Sequence, residues 1–156
     1  MKVAGDFSVR APIERVWDLF LDPQQLCKVM PGCEQARRID ATHYEATLAT
    51  KVQFMTIRAH TRAEIVERSE PNHVVVEMTG ETIAMAGAFQ MRMTVDLQPA
   101  EDGTEVRYDI DITMLGRLGS LGQPIVRSSA KRISEQFSNN VRTYLEENGT
   151  TSSSGA

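Results

Sequence analysis

The sequence predicts an α+β fold in which a seven-stranded antiparallel sheet curls around one long C-terminal helix. Three observations carry this reading. Apolar and polar residues alternate from Lys2 to Arg10, and again in six runs between Cys33 and Leu115, the period of two of half-buried strands. The breaks between those runs are short, so neighbouring strands should pair as hairpins. A single long helical repeat follows them.

The first strand places Val3, Gly5, Phe7 and Val9 on one face against Lys2, Asp6, Ser8 and Arg10 on the other. Ala11-Pro12 then opens a short amphipathic helix, with Ile13, Val16, Trp17 and Phe20 repeating at three and four. Asp22-Pro23 stops it and caps a second short helix, Gln24 to Val29, which Pro31-Gly32 ends. Strand breaks are expected at Asp40-Ala41-Thr42, around Met55-Thr56, at Ser69 to Asn72, at Ala84 to Gly87 and at Ala100 to Gly103. The last two strands are the clearest. Phe89, Met91, Met93, Val95 and Leu97 form one apolar face, and Val106, Tyr108, Ile110, Ile112 and Met114 form its neighbour.

After a glycine-punctuated segment, Ile125, Ile133, Phe137, Val141, Tyr144 and Leu145 mark one side of a helix running from Pro124 to Glu147. At 1.5 Å per residue it would be about 36 Å long, the length of a ten-residue strand, so it can lie along the whole sheet. The domain is therefore expected over residues 1–147, with a disordered Gly/Ser/Thr-rich tail over 148–156.

Bulk composition narrows function by exclusion. The 156 residues suffice for one core. With 21 acids against 17 bases and a pI near 5.4, the chain has little to gain from phosphate neutralisation, which argues against nucleic acid as a partner. No apolar stretch approaches a membrane span or a secretory leader. Cys27 and Cys33 lack the spacing of a zinc or redox motif and are expected to be two reduced, part-buried thiols of a cytosolic protein. His43, His60 and His73 are scattered over separate strands or turns, so no metal site and no catalytic constellation can be assembled.

The segment from Phe7 through Ala11-Pro12 to Val16-Trp17, followed by Asp22-Pro23 and Met30-Pro31-Gly32-Cys33, resembles the CoxG family, the carbon monoxide dehydrogenase G subunits of the START-like (SRPBCC) superfamily. Its element order over residues 1–147 agrees with the helix-grip fold of that superfamily. The resemblance implies a non-enzymatic accessory of a molybdenum-containing carbon monoxide dehydrogenase or related hydroxylase. It also implies membrane recruitment and quinone handling, with menaquinone or ubiquinone as the bound molecule and a cytoplasmic place on the inner face of the membrane. A polyketide cyclase or hydrolase, as found among START-like relatives, is the alternative.

Within that frame the methionines are informative, since Met78, Met91, Met93 and Met114 all fall on inward strand faces. Unbranched, polarizable Met suits either an adaptable apolar cavity or plain core filling. The resemblance implies a cavity between sheet and helix. Connectivity puts its mouth where the last strand ends at Met114, the end that also receives Ile57, Gly80 and Phe89. The lining expected there is Phe54, Ile57, Met78, Phe89, Met91, Met93, Ile112 and Met114, facing Leu118, Leu121 and Ile125. Tyr108, with Tyr44 as a second candidate, is the polar group able to orient a carbonyl headgroup. Gly116, Gly119 and Gly122 read either as a pliable gate or as a loop before a delayed helix start at Pro124. Pro31 and Gly32 lie on a loop and are candidates for docking the partner enzyme.

Overall fold

The computed structural model describes residues 1–84 and 86–155, with side chains up to residue 146. The tail expected over 148–156 lies outside the residues described in full. The chain runs β1 (Lys2–Val9), α1 (Ile13–Leu21), α2 (Pro23–Val29), β2 (Cys33–Arg38), β3 (His43–Val52), β4 (Met55–Ser69), β5 (His73–Thr82), β6 (Gly87–Ala100), β7 (Gly103–Gly116), a 3-10 turn at Gly119–Leu121, and α3 (Gln123–Gly155). The strands form one antiparallel sheet in the order β1-β7-β6-β5-β4-β3-β2, so β1 returns to close against the last strand. This is the predicted helix-grip architecture.

Local chemistry accounts for the turns. The Asp22 carboxylate accepts hydrogen bonds from the amides of Gln24 (3.0 Å) and Gln25 (3.4 Å), and Pro23 occupies the first turn of α2, where its missing N–H is not needed. Gly32 then adopts φ +82° and its carbonyl accepts from the Ala49 amide at 2.7 Å. A side chain at that position would run into the Ala49 carbonyl oxygen. The turn folds α2 back onto β2, bringing the Cα atoms of Cys27 and Cys33 to 5.2 Å. The two cysteines form a disulfide rather than the pair of free thiols expected from their spacing, because the tight Pro31-Gly32 reversal supplies a proximity that no linear motif records.

The core sits at the end of the sheet away from the start of α3. There Trp17, Val16 and Leu19 of α1 pack with Val9, Ile65, Val74, Leu97, Val106, Val141 and Leu145, all buried. Phe137 of α3 stacks on Phe20 (centroids 5.9 Å) and meets Phe7 edge-on (6.4 Å). Polar groups drawn into this region are satisfied: Thr104 Oγ1 donates to the Ala11 carbonyl at 2.8 Å, and Trp17 Nε1 donates to Glu70 at 2.8 Å. Asn140 ties α3 to α2 through the Val29 carbonyl at 3.0 Å.

Two outcomes follow for stability. Leu97 is 2% exposed, so Leu97→Ala should cost about 2–5 kcal/mol, read as a lowered urea midpoint with unchanged slope. His73 is held between Asp96 (2.6 Å) and Glu67 (2.9 Å), and the Asp96 bond, then Glu67, raises its pKa above 6.5. Its contribution is therefore complete below pH 6.5 and is lost as pH rises through the raised folded value. Melting temperature should fall over that upper window, and His73→Gln should remove this part of the pH dependence.

Candidate ligand-binding site

The register of the sheet sets the candidate residues in rungs across the inner face. One rung joins Ala63, Met78, Met91 and Ile112; the next towards α3's start joins Thr61, Gly80, Phe89 and Met114; the rung below joins Ile65, Val76, Met93 and Ile110. The expected strand residues other than Phe54 are thus brought together on one surface. Ile57 stands on the same face of β4, opposite Thr50.

These side chains face α3, yet Ile57, Met78, Phe89, Met91, Met93 and Met114 are only half-buried, whereas Ile112 is buried. The helix explains the difference. Its closest backbone approaches are to β1, β3 and α2, at the flanks of the sheet, rather than to the central strands. Side-chain bonds fix it to those flanks: Arg127 Nη1 donates to the Lys2 carbonyl at 3.3 Å, and Arg132 donates to the Lys51 carbonyl. The methionines at the centre of the sheet accordingly keep part of their surface exposed. Glycine adds room on this face. The Phe89 ring lies across Gly80 and the Tyr108 ring across Gly5, in volumes that a Cβ would occupy.

Phe54 is placed differently from expectation. The β3–β4 reversal occurs at Gln53-Phe54, with Gln53 at φ +56°, rather than around Met55-Thr56. Phe54 consequently stands at the hairpin tip, 104% exposed, and does not line the inner face. Of the residues expected on the helix side, Leu118 is buried against Gly87, while Leu121 and Ile125 are half-buried. The segment between the glycines is anchored by Leu118 and by the Arg117 amide, which donates to the Ala86 carbonyl at 2.9 Å. Gly116 (φ +63°) and Gly122 (φ +86°) bracket it in left-handed conformations, and α3 begins at Gln123, one residue before the expected start.

Tyr108 is half-buried and borders an open cleft of about 330 Å³ between β1 and α3, shared with Phe7, Ser134, Ser138, Asn139 and Arg142. Sequence reasoning missed these polar helix residues. Their signal was the spacing of four between Ser134, Ser138 and Arg142, a polar stripe beside the apolar one. Tyr44 is engaged elsewhere, its hydroxyl donating to the Leu21 carbonyl at 3.4 Å. A second open cleft, also about 330 Å³, lies beside the disulfide between α2 and β2. Pro31 is half-buried and Gly32 exposed on that side of the molecule.

The histidines stand on the outer face. His43 is paired with Asp40 (2.8 Å) and Glu64 (3.6 Å), His73 with Asp96 and Glu67, and His60 lies 3.4 Å from Thr47. Hydrogen bonds from the Thr42 amide and His43 hold the Asp40 carboxyl well below its ordinary value, at about 2. All of these groups point away from the methionine rungs.

Overpacking separates a chamber from a filled core. In a tightly packed site a larger side chain costs about 1–3 kcal/mol, so Leu97→Trp should be strongly destabilising. Met91→Trp should instead change stability by less than about 1 kcal/mol, as measured by urea unfolding, because Met91 is only half-buried and a larger ring there can extend without displacing packed neighbours.

The protein's likeness to others is consistent with this geometry. The structure superposes on a conserved protein from Geobacillus kaustophilus with a TM-score of 0.85 at 22% identity, covering 94% of this chain and 96% of the other. A START superfamily protein from Mycobacterium smegmatis gives 0.72 at 13% identity, with 94% and 97% covered. A protein from Thermus thermophilus gives 0.70 at 16%, with 94% and 98% covered. At such identities the likeness establishes the START-like fold. Among curated proteins none matches the chain. The model of the CoxG family, described as the G subunit of carbon monoxide dehydrogenase, matches residues 5–146, nearly the whole described domain, and the chain belongs to that family.

Proposed function

We propose that this protein is a non-catalytic accessory of a molybdenum-containing carbon monoxide dehydrogenase or related hydroxylase that carries an apolar ligand, a quinone or lipid, between sheet and helix. Family membership supplies the association with carbon monoxide dehydrogenase at the level of the family. The observation that carries the ligand reading is the half-exposed rung of Met78 and Met91 with Met93 and Phe89 beside it, apolar surface kept accessible under α3. Such surface costs about 25 cal/mol per Å² when left to water, and an apolar occupant would recover that cost. Methionine's flexible chain fits an isoprenoid tail without demanding one shape. Tyr108, at the margin of the same face, is the group placed to donate a hydrogen bond to a quinone carbonyl.

In this reading the ligand's redox chemistry belongs to the partner enzyme, and the carrier supplies solvation and delivery. Pro31 and the adjoining surface beside the Cys27–Cys33 bridge are the proposed docking region. Gly32 has a separate structural task, because its positive φ and its contact with Ala49 tolerate no side chain. A docking test should therefore alter Pro31.

The purified protein, incubated with menaquinone or ubiquinone in detergent and re-isolated, should retain about one quinone per chain by solvent extraction and mass spectrometry. Met91→Trp should lower retention by at least about tenfold while the fold persists. Quinone-free protein after loading, or undiminished loading in Met91→Trp, would overturn the carrier reading. Turnover of an aromatic polyketide, lost in Tyr108→Phe, would favour the cyclase alternative. Pro31→Glu should weaken co-purification with the hydroxylase and leave quinone retention unchanged.

A further inference from the structure

The Cys27–Cys33 bridge has surroundings unlike those of a structural staple. Its two residues are the chain's entire cysteine content, and both are half-buried rather than packed into the core. Both also line the open cleft of about 330 Å³ between α2 and β2, together with Gln24, Lys28, Glu34, Gln35 and Ala36. The bridge is thus part of the wall of a solvent-open cavity, which gives an incoming thiol an approach.

The fold is held around the bridge by other means. On the α2 side Val29 is 2% exposed, the Asn140 side-chain amide donates to its carbonyl at 3.0 Å, and the Tyr144 hydroxyl donates to Gln25 Oε1 at 3.3 Å. On the β2 side the Ala49 amide donates to the Gly32 carbonyl at 2.7 Å, and the Cys33 amide to the Met30 carbonyl at 3.1 Å. The cysteines are only six apart in sequence, and closing so short a loop costs little chain entropy, so the bond stabilises less than a long-range one would. With both ends held by these contacts, two reduced cysteines stay neighbours and can rejoin. What the bond adds is a covalent ring around Lys28 to Gly32, the segment that carries Pro31.

Local charge favours reaction at this bond. Lys28 is exposed on the cleft wall and pairs with no carboxylate among the described residues, whereas Glu34, the acid on that wall, is engaged by Arg58 at 3.2 Å. A cation beside sulfur stabilises the thiolate, the form that both attacks and departs.

We propose that Cys27–Cys33 is a thiol–disulfide exchange site for a dithiol, and that its reduction releases the Pro31 segment from the ring. One thiolate of the dithiol attacks a bridge sulfur, forming a mixed disulfide as the Cys27–Cys33 bond breaks, and the departing cysteine sulfur takes a proton from water. The dithiol's second thiolate then attacks the mixed disulfide; the remaining cysteine leaves and is protonated, and the dithiol departs as its own disulfide. Two electrons and two protons pass to the protein. A dithiol fits better than a monothiol, because the freed cysteine, held close to its neighbour, would expel a monothiol and restore the bridge.

Exchange stands independently of the accessory reading; its effect on docking rests on that reading, since Pro31 lies in the proposed docking region. The closed ring presents Pro31 in one place, so the oxidised form is the docking form.

The test begins with the oxidised full chain, treated with dithiothreitol without denaturant and trapped with iodoacetamide. It should gain two alkyl groups by intact mass, at a rate that stays constant over low urea concentrations. Exchange through global unfolding would instead accelerate steeply with urea. Lys28→Glu should slow the reaction by about threefold to tenfold with thermal unfolding unchanged. Reduction should leave circular dichroism intact and quicken amide hydrogen exchange over residues 28–33 alone. No alkylation until urea unfolds the chain, or hydrogen exchange over 28–33 indifferent to reduction, overturns the proposal. For docking, Cys27→Ser/Cys33→Ser, shown to fold by its circular dichroism, should co-purify with the hydroxylase at least about threefold less than the oxidised wild type, with or without dithiothreitol. Equal co-purification would overturn the docking effect. Co-purification by neither form would sink the accessory reading and leave exchange to stand on the alkylation result.

Discussion

One geometric mismatch governs this molecule. Seven strands about 4.8 Å apart present an apolar face roughly 29 Å wide before curling, and a helix with its side chains is only about 10–12 Å across. A single helix cannot cover such a sheet. The chain meets the deficit at one end by inserting α1 and α2 between β1 and β2, so that Trp17, Val16 and Leu19 complete a buried core with Leu97 and Val106. At the other end nothing equivalent is inserted, and Met78, Met91, Met93, Met114 and Phe89 are left half-exposed beside the buried Thr61 and Ile112. The same sheet is thus a packed core at one end and a more loosely covered apolar face at the other.

Much of this arrangement is legible in the sequence because it depends on periodicity. The alternation through Phe89 to Leu97 and Val106 to Met114 determines which residues share a face, and the antiparallel connections then determine which rungs they join. What escapes sequence reading depends on features without a period. Gln53-Phe54 contains none of the usual turn residues, and the left-handed conformation falls on Gln53, so the pattern alone displaces the hairpin tip by two residues and assigns Phe54 to the wrong surface. The Cys27–Cys33 bridge depends on a reversal whose tightness becomes visible only when Gly32 is seen against Ala49.

The polar cleft at β1 illustrates a third kind of omission. Ser134, Ser138 and Arg142 carry no apolar signal, and the stronger apolar stripe of α3 beside them masks their spacing. Arg142 donates to the Ser8 carbonyl at 3.0 Å and lies over the Phe7 ring, so it fastens the helix to the edge of the sheet rather than simply facing water. The helix is thus seated in two ways, by Phe137, Val141 and Leu145 in the apolar core along its later turns and by polar clasps from Arg127, Arg132 and Arg142 along its borders.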